Sequence, residues 1–221
     1  MPAPAQKSAF YTGPASESGG PDSTARIVTP RGRVKGALFR EFIRYCVTHY
    51  ELPLGPIADQ LPPDLQSLVE PDVEAFGIIA SMWYPAELPA RLLDVFFSDL
   101  PVEEQDRVLR DGTRYALERT LTSLHRATFR LFVNPERAAR HVQRLWRLNC
   151  DTGNVTWRLV GKNRCESTLR GWASHDVRLC EIARLSAALS FELMGCRDVR
   201  SERIACVEQG MGFCGSLITW S

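Results

Sequence analysis

The sequence predicts an α+β fold, with helices packed on one side of an antiparallel sheet built from two C-terminal hairpins with a helix between them. Three observations carry that expectation. From Gly36 to Trp146 apolar residues recur at helical spacing, and from Asp151 to Trp172 they switch to alternation across a glycine-containing turn. After one more apolar helix the alternation returns between Val199 and Trp220. Helices first and strands last is the order of segregated layers, not of a parallel α/β sheet.

The elements follow in chain order. Residues 1–33 are rich in Pro, Gly, Ser, Ala and Thr, with few bulky apolar residues beyond Phe10, Tyr11, Ile27 and Val28. They bury too little surface to offset ordering entropy and are expected to form a disordered tail ahead of a single domain, 34–221. Phe39, Phe42, Ile43 and Cys46 fall at i, i+3, i+4 and i+7, one face of an amphipathic helix. A connection with Pro53, Pro56, Pro62 and Pro63 follows, holding a short helix around Leu65 to Val69. In the stretch Trp83 to Pro89, Pro85 and Pro89 both suit the first turn of a helix that buries Leu88, Leu92, Leu93 and Phe96. The next helix opens at Pro101 with Glu103 and Glu104 favouring its dipole, and is expected to reach Phe132 with a bend at Gly112. Asn134 caps another, begun by Pro135, with Ala138, Val142, Leu145 and Trp146 on one stripe. Val155, Trp157 and Leu159 then alternate with polar residues, and a turn at Gly161 leads to a second run ending at Trp172. Asp176 to Met194 reads as an apolar helix stopped by Gly195, and the last hairpin pairs Val199–Glu208 with Phe213–Trp220.

Composition narrows the function. The 221 residues are 44% hydrophobic, enough for one domain with a real core. Lys and Arg number 27 against 26 Asp and Glu, and a net charge of +1 supplies no field toward nucleic acid or anionic membrane. Lysine occurs only at Lys7, Lys35 and Lys162, an arginine bias expected of a GC-rich genome. No apolar run is long enough to span a bilayer, since the longest, Ala75 to Tyr84, is interrupted by Gly77 and Ser81. The N-terminus lacks the basic start and apolar stretch of a secretory signal, and seven irregularly spaced cysteines do not form a disulfide framework, so a reducing cytoplasm is expected.

Familiar catalytic patterns are absent: no phosphate-binding loop, no dinucleotide glycine motif, no His-Glu-x-x-His and no Gly-x-Ser-x-Gly. His49, His125, His141 and His175 are scattered, and each reads first as a surface or packing residue. Trp83, Tyr84, Phe96, Trp146 and Trp157 fit either an ordinary core or the walls of an apolar pocket between helices and sheet, with His125 as its polar member. Cys180, Cys206 and Cys214 are three thiols brought together by a helix and a hairpin. They could supply soft ligands to zinc, but the spacing is not a compact metal motif, and inert core thiols are the favoured reading.

The segment Cys206-Val-Glu-Gln-Gly-Met-Gly-Phe-Cys214, with the strand to Trp220, resembles the end of the 4-vinyl-reductase domain family. Tyr84-Pro-Ala-Glu, Leu92-Leu93, Asn134-Pro135 and the strand Gly153 to Trp157 follow that family's order. The whole chain also resembles an uncharacterised family of myxobacterial proteins. The resemblance implies an α+β domain, often homodimeric, with an internal pocket for an aromatic molecule or an acyl chain, and binding rather than turnover. It is shared with sensor domains of phenol-responsive regulators, with transport-particle subunits and, more distantly, with heme nitric-oxide-binding domains. In the phenol sensors it implies a zinc held by a helix cysteine, two hairpin cysteines and a glutamate; Cys180, Cys206 and Cys214 match, but Arg203 stands at the carboxylate position. A fourth ligand would have to be Cys196, His175, Glu202 or water. No histidine matches an axial heme position, so heme is not expected.

The expected function is therefore a cytoplasmic, homodimeric, non-enzymatic sensor or adaptor that binds a small apolar ligand. The chain stops at Ser221 with no output module, so the signal is expected to leave through a protein partner, not DNA. The alternatives are a ligand-free interaction scaffold with its pocket filled by aromatic residues, and an enzyme on a hydrophobic substrate using His125.

Overall fold

The computed structural model describes residues 32–50, 54–122 and 134–221. His125 and nearly all of the expected tail lie outside the described residues. The elements are β1 (Arg33–Lys35), α1 (Arg40–Tyr50), α2 (Leu54–Asp59), α3 (Pro63–Gln66), β2 (Trp83–Pro85), α4 (Leu88–Phe97), α5 (Val102–Thr122), α6 (Pro135–Asn149), β3 (Asn154–Gly161), β4 (Arg164–Arg170), α7 (Val177–Leu193), β5 (Arg200–Ala205) and β6 (Cys214–Thr219). The fold is α+β, as the pattern of periodicities implies.

Strands β3 to β6 form one antiparallel sheet in the order β3-β4-β6-β5, so the two hairpins join along β4 and β6. Pairing in register builds cross-strand rows on the face that α7 covers. Val155, Leu169 and Cys214 make one row; Trp157, Ser167, Ser216 and Arg203 make the next; Leu159, Cys165, Ile218 and Ser201 make a third. The other face carries polar pairs, Thr156 with Thr168 at 2.6 Å and Arg158 with Glu166. Alternation with one apolar and one polar face is what an antiparallel sheet covered on one side requires.

The helix ends are held locally, at Asn134 by the cap read from the sequence and at Asp176 by a residue read there as the first of the helix. Asn134 accepts a hydrogen bond from the Arg137 backbone N–H at 2.9 Å, and Asp176 accepts from Arg178 at 2.8 Å and Leu179 at 3.2 Å. Gly195 closes α7 at φ +90°, a conformation open to glycine.

Three expectations change. At the start of the described residues Arg33 opens β1, a strand the sequence reading did not contain, which pairs antiparallel with β2 and is tied to the end of α6 by Asp151, whose carboxylate accepts from the Arg33 backbone N–H at 2.6 Å. Pro85 does not begin a helix: it ends β2, opposite Arg33, and α4 starts at Leu88 with Pro89 in its first turn. Gly112 lies within the continuous run of α5, where a Cβ would come within 2.8 Å of the Phe42 ring and 2.9 Å of the Tyr45 ring. Its missing side chain admits α1, which is a packing requirement and not a breaking signal.

Candidate ligand cavity and cysteine–histidine cluster

A cavity of about 290 Å³ lies between the sheet rows, α7 and the N-terminal helices. Its origin is legible in the side chains. On the sheet, Ser167 and Ser216 occupy the middle of the second row, and on α7 the facing positions are Ala183, Ser186 and Ala187, so neither wall fills the gap. Phe39, Phe42, Ile43 and Leu93 close it from the helical side, and Val142, Leu145 and Trp146 of α6 close one flank. A mainly apolar space at a helix–sheet junction, at the low end of the roughly 300–1,000 Å³ usual for ligand sites, suits a compact molecule.

Of the pocket residues expected from sequence, Trp146 and Trp157 line this cavity. Trp83, Tyr84 and Phe96 do not. Trp83 stands on β2 beneath the cations of Arg33 and Lys35, at 5.6 and 5.3 Å from its ring. The Tyr84 hydroxyl accepts the Ile79 backbone N–H at 2.8 Å, and Phe96 is buried against Phe76. All three sit in amphipathic segments, which specify burial but not which of several buried spaces a ring faces. Sequence reasoning missed Phe39, Leu93, Trp172 and the small residues of α7, whose only signal was an unusual run of Ala and Ser on an apolar helix.

One wall of the cavity ends at a cluster. His175 Nε2 and the Sγ atoms of Cys180, Cys206 and Cys214 all lie within 4.8 Å of one another, three of the residues buried. His175 Nε2 is 2.9 Å from Cys214 Sγ, which is 4.0 Å from Cys206 Sγ, and His175 Nδ1 faces Glu208 at 3.3 Å. Geometrically, four soft donors at these separations could hold a metal ion. Of the candidates for the fourth position the structure brings in His175. Glu202 is exposed on the outer face and Cys196 packs in a second core group with Phe191. Arg203, at the expected carboxylate position, is ion-paired with Glu181 of α7 at 2.6 Å. Burial pushes the Cys180 thiol well above its ordinary value, and raises Cys214 as well.

These features define a helix-on-sheet α+β domain with a mostly apolar, partly open cavity between helices and sheet. The solved structures it resembles are H-NOX domains: one from K. algicida in the Fe(II) unliganded state (13% identity, TM-score 0.62, covering 85% of this chain and 96% of that one) and one from S. oneidensis in the Fe(II)NO state (14%, 0.61, 85% and 99%). An oxygen-binding H-NOX domain related to soluble guanylate cyclases also matches, at 12% identity and TM-score 0.54 over 85% of this chain and 95% of that one. No family model matches the sequence, and no curated protein does.

The likeness shows the fold, and it overturns two expectations. The structural neighbours are H-NOX domains, not 4-vinyl-reductase-like ones, and the myxobacterial likeness has no support. The motifs behind that resemblance mark a helix cap, a turn and a strand, which report local structure more than descent. The cofactor expectation, zinc or a bound lipid or aromatic molecule, is corrected too, because the names of these neighbours specify heme or its iron, as Fe(II) with or without NO.

Whether this chain's own residues fit heme is a separate test, and among the described residues they do not. Protein-held heme iron takes an axial His, Cys, Met or Tyr. The cavity lining contains no His, Met or Tyr, and its two cysteines, Cys180 and Cys214, belong to the cluster. His49 stacks on Tyr45 at 4.2 Å, and His141, half-buried on α6, is absent from the lining. The two cations of the lining, Arg184 and Arg203, are both paired to Glu181 and stand ready for no propionate.

Proposed function

We propose that this chain is a non-enzymatic sensor or adaptor domain that takes a small apolar molecule directly into the cavity, without heme, and relays its occupancy to a protein partner. The observation that carries this reading is the cavity itself, enclosed by Phe39, Phe42, Leu93, Trp146 and Trp157 and left open by the small residues of α7. Among the described residues its lining has no His, Asp, Glu or Lys to act as acid or base, which supports binding over turnover. A relay is at hand: Arg203 and Arg184 tie α7 to the edge strand β5, through Glu181 and the Ser201 carbonyl, so a molecule wedged between α7 and the sheet would shift the edge that a partner reads. Action in the cytoplasm as a homodimer belongs to the same proposal.

The test uses 2-cyclohexylpropene, a compact hydrocarbon, and hemin. The hydrocarbon is expected to raise the Tm of the purified protein in proportion to its saturation and to lose that effect in Ala183→Phe, which fills the cavity. Hemin is expected to produce no bound-heme Soret band. A stoichiometric Soret complex, or the absence of any hydrocarbon effect, would overturn the proposal.

A further inference from the structure

We infer that the outer face of α6 docks an acidic helix of a partner protein; in taking that partner to be a protein, the inference rests on the reading above. Helix α6 carries Arg137, Arg140, Arg144 and Arg147, all exposed. At 3.6 residues per turn they fall within about 80° of the circumference and span roughly 15 Å of the axis. None of the four forms an ion pair among the described residues. The other long helices are built differently. Each of α1, α4, α5 and α7 sets an acid three residues from an arginine and closes the pair: Glu41 with Arg44, Arg91 with Asp94, Glu104 with Arg107, and Glu181 with Arg184. Glu136 is the sole acid of α6, and Arg140 Nε donates to its backbone carbonyl at 3.3 Å instead of to its carboxylate.

Like charges three and four residues apart disfavour a helix, and Arg137 in the first turn opposes the dipole. What holds α6 is its inner face, where Val142, Leu145 and Trp146 meet the cavity and Gln143 accepts the Val155 backbone N–H at 2.6 Å. The row of cations on the outer face is understood if carboxylates from outside complete it. With a net charge of +1 the chain lacks the broad positive field that draws nucleic acid, so these cations act at close range. Leu148, 49% exposed and one turn beyond Arg144, places an apolar side chain beside them, a mixture typical of protein interfaces. The spacing identifies the shape of the partner. Along the axis the arginines are roughly 4.5, 6 and 4.5 Å apart, the rise of three, four and three helical residues. Carboxylates on one face of a second helix repeat at those intervals, whereas those on one face of a strand repeat at about 6.7 Å throughout. The order of intervals is the same in both directions, so an acidic helix fits in either orientation.

The experiment uses the full chain and a short alanine-based helical peptide with glutamates at i, i+3, i+7 and i+10. Its controls are the Gln counterpart and a peptide of the same composition with the glutamates spread around the helix. By fluorescence anisotropy at low salt the wild type is expected to bind the first peptide about tenfold more tightly than either control, since several exposed ion pairs of modest strength add. The double variant Arg140→Gln, Arg144→Gln is expected to lose most of that gain. The double variant Arg164→Gln, Arg200→Gln removes the same charge from two exposed arginines on either side of Thr219 in the sheet, and should keep it. Both variants should retain the Tm response to 2-cyclohexylpropene, which keeps this inference separable from the cavity reading. Equal binding of the three peptides, equal loss in the two variants, or an α6-dependent affinity for a short duplex DNA or for phosphatidylserine vesicles that exceeds the affinity for the peptide would overturn the inference and leave the cavity reading standing. Peptide binding as expected with no hydrocarbon effect in wild type would overturn the cavity reading alone.

Discussion

Glu181 shows how one side chain fastens a helix to a sheet. Its carboxylate accepts from Arg184 one turn along α7 and from Arg203 on β5 at 2.6 Å. Burial alone would raise its pKa, but the hydrogen bonds and charges of the two guanidinium groups outweigh burial and hold it below the ordinary carboxylate value. The sign of the linkage follows. A carboxylate depressed in the folded state contributes stability that is present above its unfolded pKa, near 4.3, and is lost as pH falls through the folded value. Glu181→Gln is therefore expected to lower stability by about 1–2 kcal/mol at pH 7, a partly exposed pair lying between surface and buried limits. The loss should shrink below about pH 4, where the wild-type carboxylate begins to take up its proton. Denaturant unfolding at the two pH values checks this, and a loss independent of pH would mean that the side chain contributes by packing instead. Nothing local in the sequence announced this triad; the Arg at position 203 looked like a missing ligand because its partner lies 22 residues away on another element.

At the scale of elements, local rules were reliable where the signal is local. The cap at Asn134, the stop at Gly195 and the hairpin alternation all formed as read, since each depends on residues within one turn or one pleat. The failures came where a distant partner decides. Strands β1 and β2 are three residues each and form through pairing with distant segments, with each other and, for β1, with Cys150, so no periodicity could mark them. Ala75 and Phe76 adopt left-handed φ of 53° and 58°, against the preference of both residue types, at a site where both are fully buried. Gly112 is the sharpest case. On an exposed helix Gly112→Ala would gain about 1 kcal/mol of helix propensity. Here the added Cβ meets the rings of Phe42 and Tyr45, so Gly112→Ala is expected to lower Tm by several degrees, as overpacking by about 1–3 kcal/mol would. A raised Tm in thermal unfolding would show that α1 and α5 are not in contact at this point.

The molecule as a whole carries six of its seven cysteines as buried thiols, Cys196 being half-buried. Burial pushes Cys150 and Cys165 up to about 12 and Cys46 and Cys180 higher still. The unfolded chain ionises such thiols near pH 8.5, while the folded one keeps them protonated, so the unfolded state binds fewer protons and stability falls as pH rises. Tm is expected to decline steadily between about pH 8.5 and 11, and replacing Cys46 and Cys165 by Ala should flatten that decline even as it lowers Tm at pH 7. An unchanged slope in the variant would place the alkaline sensitivity in other groups. Much of this architecture needed only the sequence. Periodicity and caps, which act over a few residues, determined the longer helices, the two hairpins and the α+β class, and the placement of Cys180 on a helix and of Cys206 and Cys214 on a hairpin was enough to foresee their convergence. The tertiary structure alone decided that His175 joins them and that Trp146 and Trp157 but not Trp83 face the cavity. Those outcomes depend on which surfaces of separately formed elements meet, and on the space left where small side chains of α7 and the sheet fail to touch, and neither is encoded within any one segment of the chain.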